Sequence, residues 1–401
     1  MKNNVLDTLI KRGYIAQTTD EEGLRKQLEE KTTFYLGIDP TADSLHVGHL
    51  CVLMVLKHMQ DAGHKPIILV GGATGKIGDP SDRTDMRKVM TEEMITKNVN
   101  AIKEQVKRFV SFEGENAAII VDNADWTFKE NYVEFLRDIG IHFNVNKMLS
   151  AECYKSRLES GLTFFEMGYM LLQANDFKHL YENYNCTVQI GGNDQWSNLI
   201  SGVDLIRKSL KKEVYTAGVT LLTKADGKKM GKTAGGALWL DAEKKKPFEF
   251  YQYFLNIADE DVIKTMKLLT FIPLEEIERL EKEIENPNEL KKILAYEVTK
   301  IVHGEKLAKE AEEATKASFG QGGDVSGLPE VKANVGDNII DIAVEAGFGT
   351  SKGQIKNLIK QNGITLNDQN VEIGQELKEE DFEKGYALLR KGKKKVIKIS
   401  K

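Results

Sequence analysis

Short β-rich runs stand between long stretches of helical spacing, and few architectures accept that alternation. The runs cover residues 33–38, 66–70, 117–121 and 187–190, while residues 91–112 and 126–139 carry helical patterns between them. Strands alternating with helices are the sequence form of βαβ units around a parallel sheet, which predicts an α/β fold. An open parallel sheet binds ligands beyond the carboxyl ends of its strands, so the residues after each run are where chemistry is expected. Three of the four runs end in polar or glycine-rich segments.

The chain has 401 residues, enough for two or three domains of roughly 150 residues each. Beyond about Phe248 the β-rich runs stop, and residues 275–317 are dense in Glu, Lys and Leu at helical spacing, which predicts a mainly helical second domain. Gly320, Gly322, Gly323, Gly327, Pro329 and Gly336 then break any regular element and read as a linker. A small third unit follows. Hydrophobic residues make up 41% and charged residues 29%, which excludes a disordered or collagenous chain. With 56 basic and 61 acidic residues the net charge is −5, so any nucleic-acid site must be a local patch. One candidate lies from Gly385 onward, where seven basic residues occur with no acid. Cys51, Cys153 and Cys186 are widely spaced and odd in number, which fits neither a disulfide framework nor a cysteine zinc site and suggests a reducing cytosol. No apolar stretch approaches the roughly 20 residues that span a bilayer, and the first residues lack a signal-peptide core, so a cytoplasmic chain without a membrane segment is expected.

After the first run, Gly37, Asp39, Pro40, Thr41, His46, Gly48 and His49 form a strand, a turn and a helix start. His46 and His49 share one face of the first helical turn, where backbone N–H groups favour a phosphate, and Gly48 lets a flat ligand approach the backbone. Two partly buried histidines, or half of a zinc site, read equally from the bare spacing, although nothing nearby completes a metal shell. The second run ends in residues 71–80, a glycine-dense turn that is either structural or a binding loop whose Asp79 could meet an ammonium group. Residues 161–177 read as an apolar helix carrying Glu166, Tyr169, Gln173 and Asp176 on one stripe. Such a stripe is ordinarily a solvated helix face, but Phe164, Phe165, Met167, Met170, Leu171, Leu172 and Phe177 cover most of the remaining circumference, so a buried helix is expected whose polar stripe must face something polar, for which a ligand would serve. Gln189 near the end of the fourth run, with Gly191, Gly192, Asn193, Asp194, Gln195 and Trp196 after it, could hold a ribose and a carboxylate. Residues 223–233 hold Lys224, Lys228, Lys229 and Lys232 in what is, taken alone, a surface turn.

In order, these segments resemble the bacterial-type tyrosyl-tRNA synthetases, a family of class I aminoacyl-tRNA synthetases. The resemblance runs over nearly the whole chain. The stretch from Tyr35 to His49 is similar to the first class I motif, and Lys228 to Thr233 reads KMGKT where the general second motif is KMSKS. The resemblance implies a Rossmann-like parallel-sheet catalytic domain at 1–223, a mobile lysine loop and connection at 224–247, a helical domain at 248–317 on the anticodon side, a linker at 318–335 and a small α+β RNA-binding domain at 336–401. It implies tyrosine activation by ATP, brought with Mg²⁺ and without a tightly bound protein metal, then tyrosyl transfer to tRNA by a homodimer.

By the same resemblance, Thr41 and His46 act on the phosphates, His49 packs at the nucleotide, and Lys229 and Lys232 close over the leaving group with Arg83 and Arg87 as auxiliaries. Gly37, Asp39, Gly48, Gly192 and Asp194 are implied nucleotide contacts. Tyr169, Asp79 and Gln173 would surround the tyrosine ammonium group, Gln195 the carboxylate, and Tyr35 with Asp176 the phenolic hydroxyl. Arg390, Lys391, Lys393, Lys394, Lys395 and Lys398 would meet tRNA phosphates. The sequence departs from the commonest family pattern at Leu36, at Asn175 and over 81–87. Tryptophanyl-tRNA synthetases share the architecture, but Tyr35 with Asp176 favours a phenol over an indole. An RNA-binding relative without catalysis would be expected to lose the first-motif histidines or the loop lysines, all of which are present. An adenylyltransferase would not need the C-terminal units.

Overall fold

A computed structural model describes residues 4–81, 90–159, 161–233, 236–318, 325, 327–392 and 395–401, and only the backbone of Ser156, Lys232, Thr233 and Ser318. The chain divides into two compact units, Met1–Asp241 with Ile263–Glu283, and Ala242–Val262 with Ile284–Lys401.

The first unit is built on a six-stranded sheet. Its strands are β1 (Ile15–Thr18), β2 (Thr33–Ile38), β3 (Lys65–Val70), β4 (Ile119–Asp122), β5 (Cys186–Gly192) and β6 (Tyr215–Val219), in the spatial order β1-β6-β5-β2-β3-β4. Only the β1–β6 pair is antiparallel. From β2 the chain moves outward to β3 and β4, then returns to the other side of β2 for β5 and β6. The direction of winding therefore reverses between β2 and β5, where Tyr35 lies opposite Gln189 and Leu36 opposite Ile190. That reversal opens a crevice at the carboxyl ends of the two central strands. β3 is buried at five of its six positions, as a strand covered on both faces must be. Tyr35, Ile67 and Leu69 pack on one face with Phe177 and Leu180 of the helix Phe164–Tyr184 and with Ile206 of the helix Trp196–Leu210.

Residues 126–139, expected as one helix, form two, Ala124–Thr127 and Tyr132–Asp138. Asn131 is the reason: its side chain accepts from Val133 N and Glu134 N and starts a new helix. The helix expected over 161–177 begins at Phe164, capped by Thr163, whose hydroxyl accepts from Glu166 N. Its first-turn residues Phe164 and Phe165 are exposed, at 71% and 49%, whereas Tyr169, Met170, Ala174, Asp176 and Phe177 are buried. The expected burial thus holds only for the part that packs on the sheet. Beneath that helix start, Arg157 and Glu166 form an ion pair with both side chains under 5% exposed. Glu166 also accepts from Thr163 N and Thr163 Oγ1, which supplies the donors a buried carboxylate requires.

Residues 263–283 join the first unit through Arg12. Its guanidinium donates to the carbonyls of Lys267, Thr270 and Ile272, and Tyr14 donates to that of Leu268. His58 packs between Tyr14 and Phe271. Burial first, and then the Arg12 charge, push its imidazole down to about 4. Between pH 6.5 and about 4 the unfolded chain takes up this proton and the folded one does not. His58 therefore contributes its full stability above pH 6.5, and that contribution is lost as pH falls through the window. Partial exposure limits the effect to on the order of 1–2 kcal/mol. Thermal unfolding at pH 7 and pH 5 should show a smaller loss for His58→Phe than for the unsubstituted protein, and equal losses would remove His58 as the source.

In the second unit the helices Pro247–Leu255, Pro287–His303 and Glu305–Ser318 pack together. A five-stranded sheet runs in the order Gln369–Asn370, Ile364–Leu366, Ala387–Lys391, Lys395–Ser400, Glu330–Lys332, and the helices Ile339–Glu345 and Lys352–Lys360 share its core with Phe348, Ile355 and Leu389. The segment read as a linker contributes its strand Glu330–Lys332, parallel to Lys395–Ser400. It also contributes Val325 and Leu328, which bury against Phe248, Ala314 and Ala317. Gly320, Gly322 and Gly323 lie outside the described residues.

Candidate active site

A cavity of about 520 Å³ occupies the crevice between β2 and β5. From the β2 side it is lined by Tyr35, Gly37, Asp39, Thr41, His46, Gly48 and His49. After Ile38 the chain turns through Pro40 into a single 3₁₀ turn, Val47–His49, which leads into the helix Leu50–Asp61. His46 caps that turn: its Nδ1 accepts from Gly48 N at 3.1 Å, while Nδ1 of His49 accepts from His46 N at 3.1 Å. With Nδ1 used as acceptor, each neutral ring carries its proton on Nε2 and presents a donor there. Burial lowers both imidazoles, His49 to about 3, so both are neutral at pH 7. A Cβ on Gly48 would stand 2.8 Å from His46 Cε1, so the glycine makes room for the histidine ring.

From the helix Phe164–Tyr184, Tyr169, Gln173 and Asp176 enter the cavity at spacings of four and three. Tyr169 Oη donates to Asp39 Oδ2 at 2.8 Å, and Thr74 Oγ1 donates to Asp39 Oδ1 at 2.7 Å. A side chain on Gly71 would collide with that carboxylate. Asn123 Nδ2 extends the chain of hydrogen bonds, donating to Thr74 Oγ1 at 3.1 Å and to Asp176 Oδ2 at 2.9 Å. Trp126 Nε1 donates to Asp176 Oδ1 at 2.9 Å. Burial pushes the Asp176 carboxyl up to about 8 against the pull of these two donors. Tyr35 Oη is buried with no hydrogen-bond partner among the described residues, and burial followed by the Asp176 charge raises its phenol well above the usual range. An unpaired hydroxyl beside a carboxyl is an arrangement that a ligand hydroxyl would complete.

Asp79, Gly192, Asp194, Gln195 and Lys229 also line the cavity. Gln195 Nε2 donates to Asp79 Oδ2 at 2.5 Å, and Lys229 Nζ lies 3.5 Å from Asp194 Oδ2. The backbone of Lys232 and Thr233 pairs with Gly236–Ala237, but the Lys232 side chain, like Arg83 and Arg87, lies outside the described residues. Among the described residues no group of three or more His, Cys, Asp or Glu side chains could hold a metal ion.

The basic C-terminal set is largely engaged within its own unit. Arg390 Nε lies 2.9 Å from Asp368 Oδ1, an ion pair without the alignment of a hydrogen bond, and its Nη2 donates to Ala317 O. Lys391 and Lys395 donate to the carbonyls of Phe348 and Gly347, and Lys398 pairs with Glu330. Lys393 and Lys394 lie outside the described residues.

Asn123, Trp126, Thr74 and Asn198 belong to the site without having been expected there. Asn123 and Trp126 follow β4, whose end was not singled out as polar, although the rule that directs attention to strand ends applies to it equally. Thr74 sat within the glycine turn. Asn198 had no signal beyond its place in the first turn of a helix.

Sequence comparisons extend over the whole molecule. The family model described as tRNA synthetases class I (W and Y) matches residues 26–320, and that of the Tyrosine--tRNA ligase SYY-like C-terminal domain matches 321–399. The chain is 54% identical over 402 residues to a protein named Tyrosine--tRNA ligase from Clostridium perfringens (strain SM101 / Type A), covering 99% of each. It is 53% identical over 400 residues to the protein of that name from Acetivibrio thermocellus, covering 98% of each. Among solved structures, a C-terminally truncated mitochondrial tyrosyl-tRNA synthetase from Aspergillus nidulans superposes with a TM-score of 0.71 at 28% identity, covering 79% of this chain and 94% of that one. A sheet that reverses its winding at a polar cavity, with matches from one end of the sequence to the other, places this chain in the tryptophan and tyrosine family of class I tRNA synthetases.

Proposed function

We propose that this chain is a tyrosine-tRNA ligase, which converts tyrosine and ATP to tyrosyl-adenylate and pyrophosphate and then passes the tyrosyl group to the 3′ end of its tRNA. The observation that carries the reading is the unpaired Tyr35 hydroxyl beside Asp176 in a cavity that also holds the first-motif histidines. A phenol placed there donates to Asp176 and accepts from Tyr35. The amino-acid end then reaches Tyr169, Gln173 and Asp79 for its ammonium group and Gln195 for its carboxylate.

In the first step a carboxylate oxygen of tyrosine bonds to the α-phosphorus as the bridge to the β-phosphate breaks. Negative charge grows on the phosphate oxygens and on pyrophosphate, so catalysis is positioning together with cationic and hydrogen-bonding stabilisation. The Nε2–H of neutral His46 and the hydroxyl of Thr41 are suited to donate to those oxygens, and Lys229 and Lys232, with Arg83 and Arg87, supply positive charge. Gly37, Asp39, Gly48, His49, Gly192 and Asp194 complete the nucleotide site, and Mg²⁺ enters with ATP as part of the substrate. No covalent enzyme intermediate is required.

We assign activation to 1–223, the lysine loop to 224–247, the anticodon side to 248–317 and tRNA binding to 336–401, with residues 263–283 of the third segment packed into the first unit. Because Arg390 and Lys398 are already paired, Lys395, the exposed one among the described members of the basic set, is favoured for phosphate contact. We infer a cytoplasmic homodimer. The exposed apolar residues Phe128, Tyr132, Val133, Ile141, Val145 and Phe164 support a self-association surface, since a lone surface rarely leaves so many large hydrophobes in one stretch. No helix among the described residues is long and apolar enough to cross a membrane.

Tyrosine-dependent exchange of pyrophosphate into ATP tests the first step, and charging of tRNA tests the second. Exchange is expected with tyrosine and not with tryptophan. Exchange that follows tryptophan instead would overturn the assignment.

A further inference from the structure

Asn198 is the third residue of the helix Trp196–Leu210 and is only 1% exposed. A buried amide is tolerated when its polar atoms are hydrogen-bonded, and this one spends its donors on two residues of the site. Its Nδ2 donates to Asp79 Oδ1 at 3.3 Å and to Gln195 Oε1 at 3.0 Å. Both partners line the cavity, whereas Asn198 stands behind them. Asp79 Oδ1 also accepts from Ser81 N at 3.1 Å, so protein donors on that oxygen fix the carboxylate plane. The other oxygen, Oδ2, faces Gln195 Nε2.

A glutamine amide can turn either end toward a ligand, and the two ends have opposite polarity. With Oε1 held by Asn198, the Gln195 amide turns its Nε2 the other way, giving one N–H to Asp79 Oδ2 and keeping its second N–H for the cavity. A substrate carboxylate needs a donor, and a substrate ammonium group needs an oriented carboxylate oxygen such as Asp79 Oδ2. One buried side chain thus sets the polarity of both.

We propose that Asn198 is a positioning residue for the amino-acid head group: it orients Asp79 toward the ammonium group and holds Gln195 with its N–H toward the carboxylate. This rests on the reading of Asp79 and Gln195 given above. The head group is common to all α-amino acids, whereas the phenol is read at Tyr35 and Asp176. Loss of Asn198 should therefore weaken tyrosine and phenylalanine by the same factor, and should leave ATP binding alone.

Asn198→Leu and Asn198→Asp test this in the full-length protein by pyrophosphate exchange. The leucine variant removes both donors and should raise the tyrosine KM on the order of tenfold. The aspartate variant keeps the shape but sets a second carboxylate against Asp79 and accepts where asparagine donated, so its effect should be larger. In both, the KM for ATP should stay within about twofold and the tyrosine to phenylalanine ratio of kcat/KM should not move. In an Asp79→Asn background, Asn198→Leu should add little, because its chief partner is already altered. An unchanged tyrosine KM in either folded variant, or parallel rises in both KM values, overturns the proposal. Should the leucine variant not fold, the isosteric aspartate variant decides alone, and its own failure to fold would assign Asn198 to stability and overturn the positioning role. If Asp79→Asn itself leaves the tyrosine KM unchanged, it is the ammonium assignment that fails.

Discussion

Asp176→Ala is expected to lower kcat/KM for tyrosine by roughly 10²–10⁴, while phenylalanine activation changes far less. The magnitude follows from three hydrogen-bonding groups. The substrate hydroxyl loses its carboxyl partner, and Asn123 Nδ2 and Trp126 Nε1 lose their acceptor. A site built to hydrogen-bond a hydroxyl rejects the analogue that lacks it more strongly than a pocket that measures size, an effect for which tyrosine-activating enzymes are themselves the reference example. Because the same two bonds brace the pocket, Tyr35→Phe is the gentler companion. The Tyr35 hydroxyl has no partner among the described residues, so its removal costs the empty site nothing in hydrogen bonding, and the tyrosine to phenylalanine ratio should fall about tenfold. The ratio should also depend on pH. With Asp176 pushed up to about 8, the carboxyl keeps its proton below that pH and cannot serve fully as the acceptor of the phenol proton. The ratio should therefore rise from pH 6 to about 8 in the unsubstituted protein, and the rise should vanish in Asp176→Ala. Phenylalanine is the right control because it shares the head group. A ratio that ignores pH and both substitutions would remove these residues from side-chain selection.

The central strands were legible because they are buried on both faces and so read as continuous apolar runs: β2 matches its expected limits, and β3 differs by one residue. Within the six-stranded sheet, the two strands without an expected run are those whose residues carry no such signal. β1 is a four-residue antiparallel edge, and β6 carries Ala217 and Gly218, residues of low strand preference, and is held in place by its neighbour β5. The site shows the same division. Asp39, His46, Asp79, Tyr169 and Asp194 belong to motifs dense enough to notice, and the fold brings them to one cavity. Asn123 and Asn198 reach that cavity through partners that are 53 and 119 residues away in sequence, Asp176 and Asp79, and no local pattern encodes such a pairing. The exposed Phe164 and Phe165 mark a further limit. Apolar composition predicts burial, but it does not say by what.

Lys229→Ala should slow adenylate formation by about 10²–10³ while leaving tyrosine affinity unchanged. Lys229 lies on a turn fixed by backbone bonds from Lys224 N to Lys228 O and from Met230 N to Leu222 O, so its amine is carried by a defined element beside the cavity. Its ion pair with Asp194 is partly exposed on both sides, and such pairs contribute about 0–1 kcal/mol. Arrival of the ribose at Asp194 can therefore release the lysine at small cost. The freed amine then meets a leaving pyrophosphate whose charge is greatest as the bond to the α-phosphate breaks. An interaction made mainly at that point raises the rate without tightening the ground state, which is why kcat should fall and tyrosine binding should hold. Lys232→Ala should behave in the same way, and the double variant should lose less than the sum of the two if both amines share one phosphate. Rapid-quench measurement of a single turnover, with tyrosine affinity read separately by equilibrium binding, separates the two effects. Adenylate formation at the parental rate in Lys229→Ala would sink the assignment of this loop, and a weakened tyrosine affinity with an unchanged rate would instead move Lys229 to substrate binding.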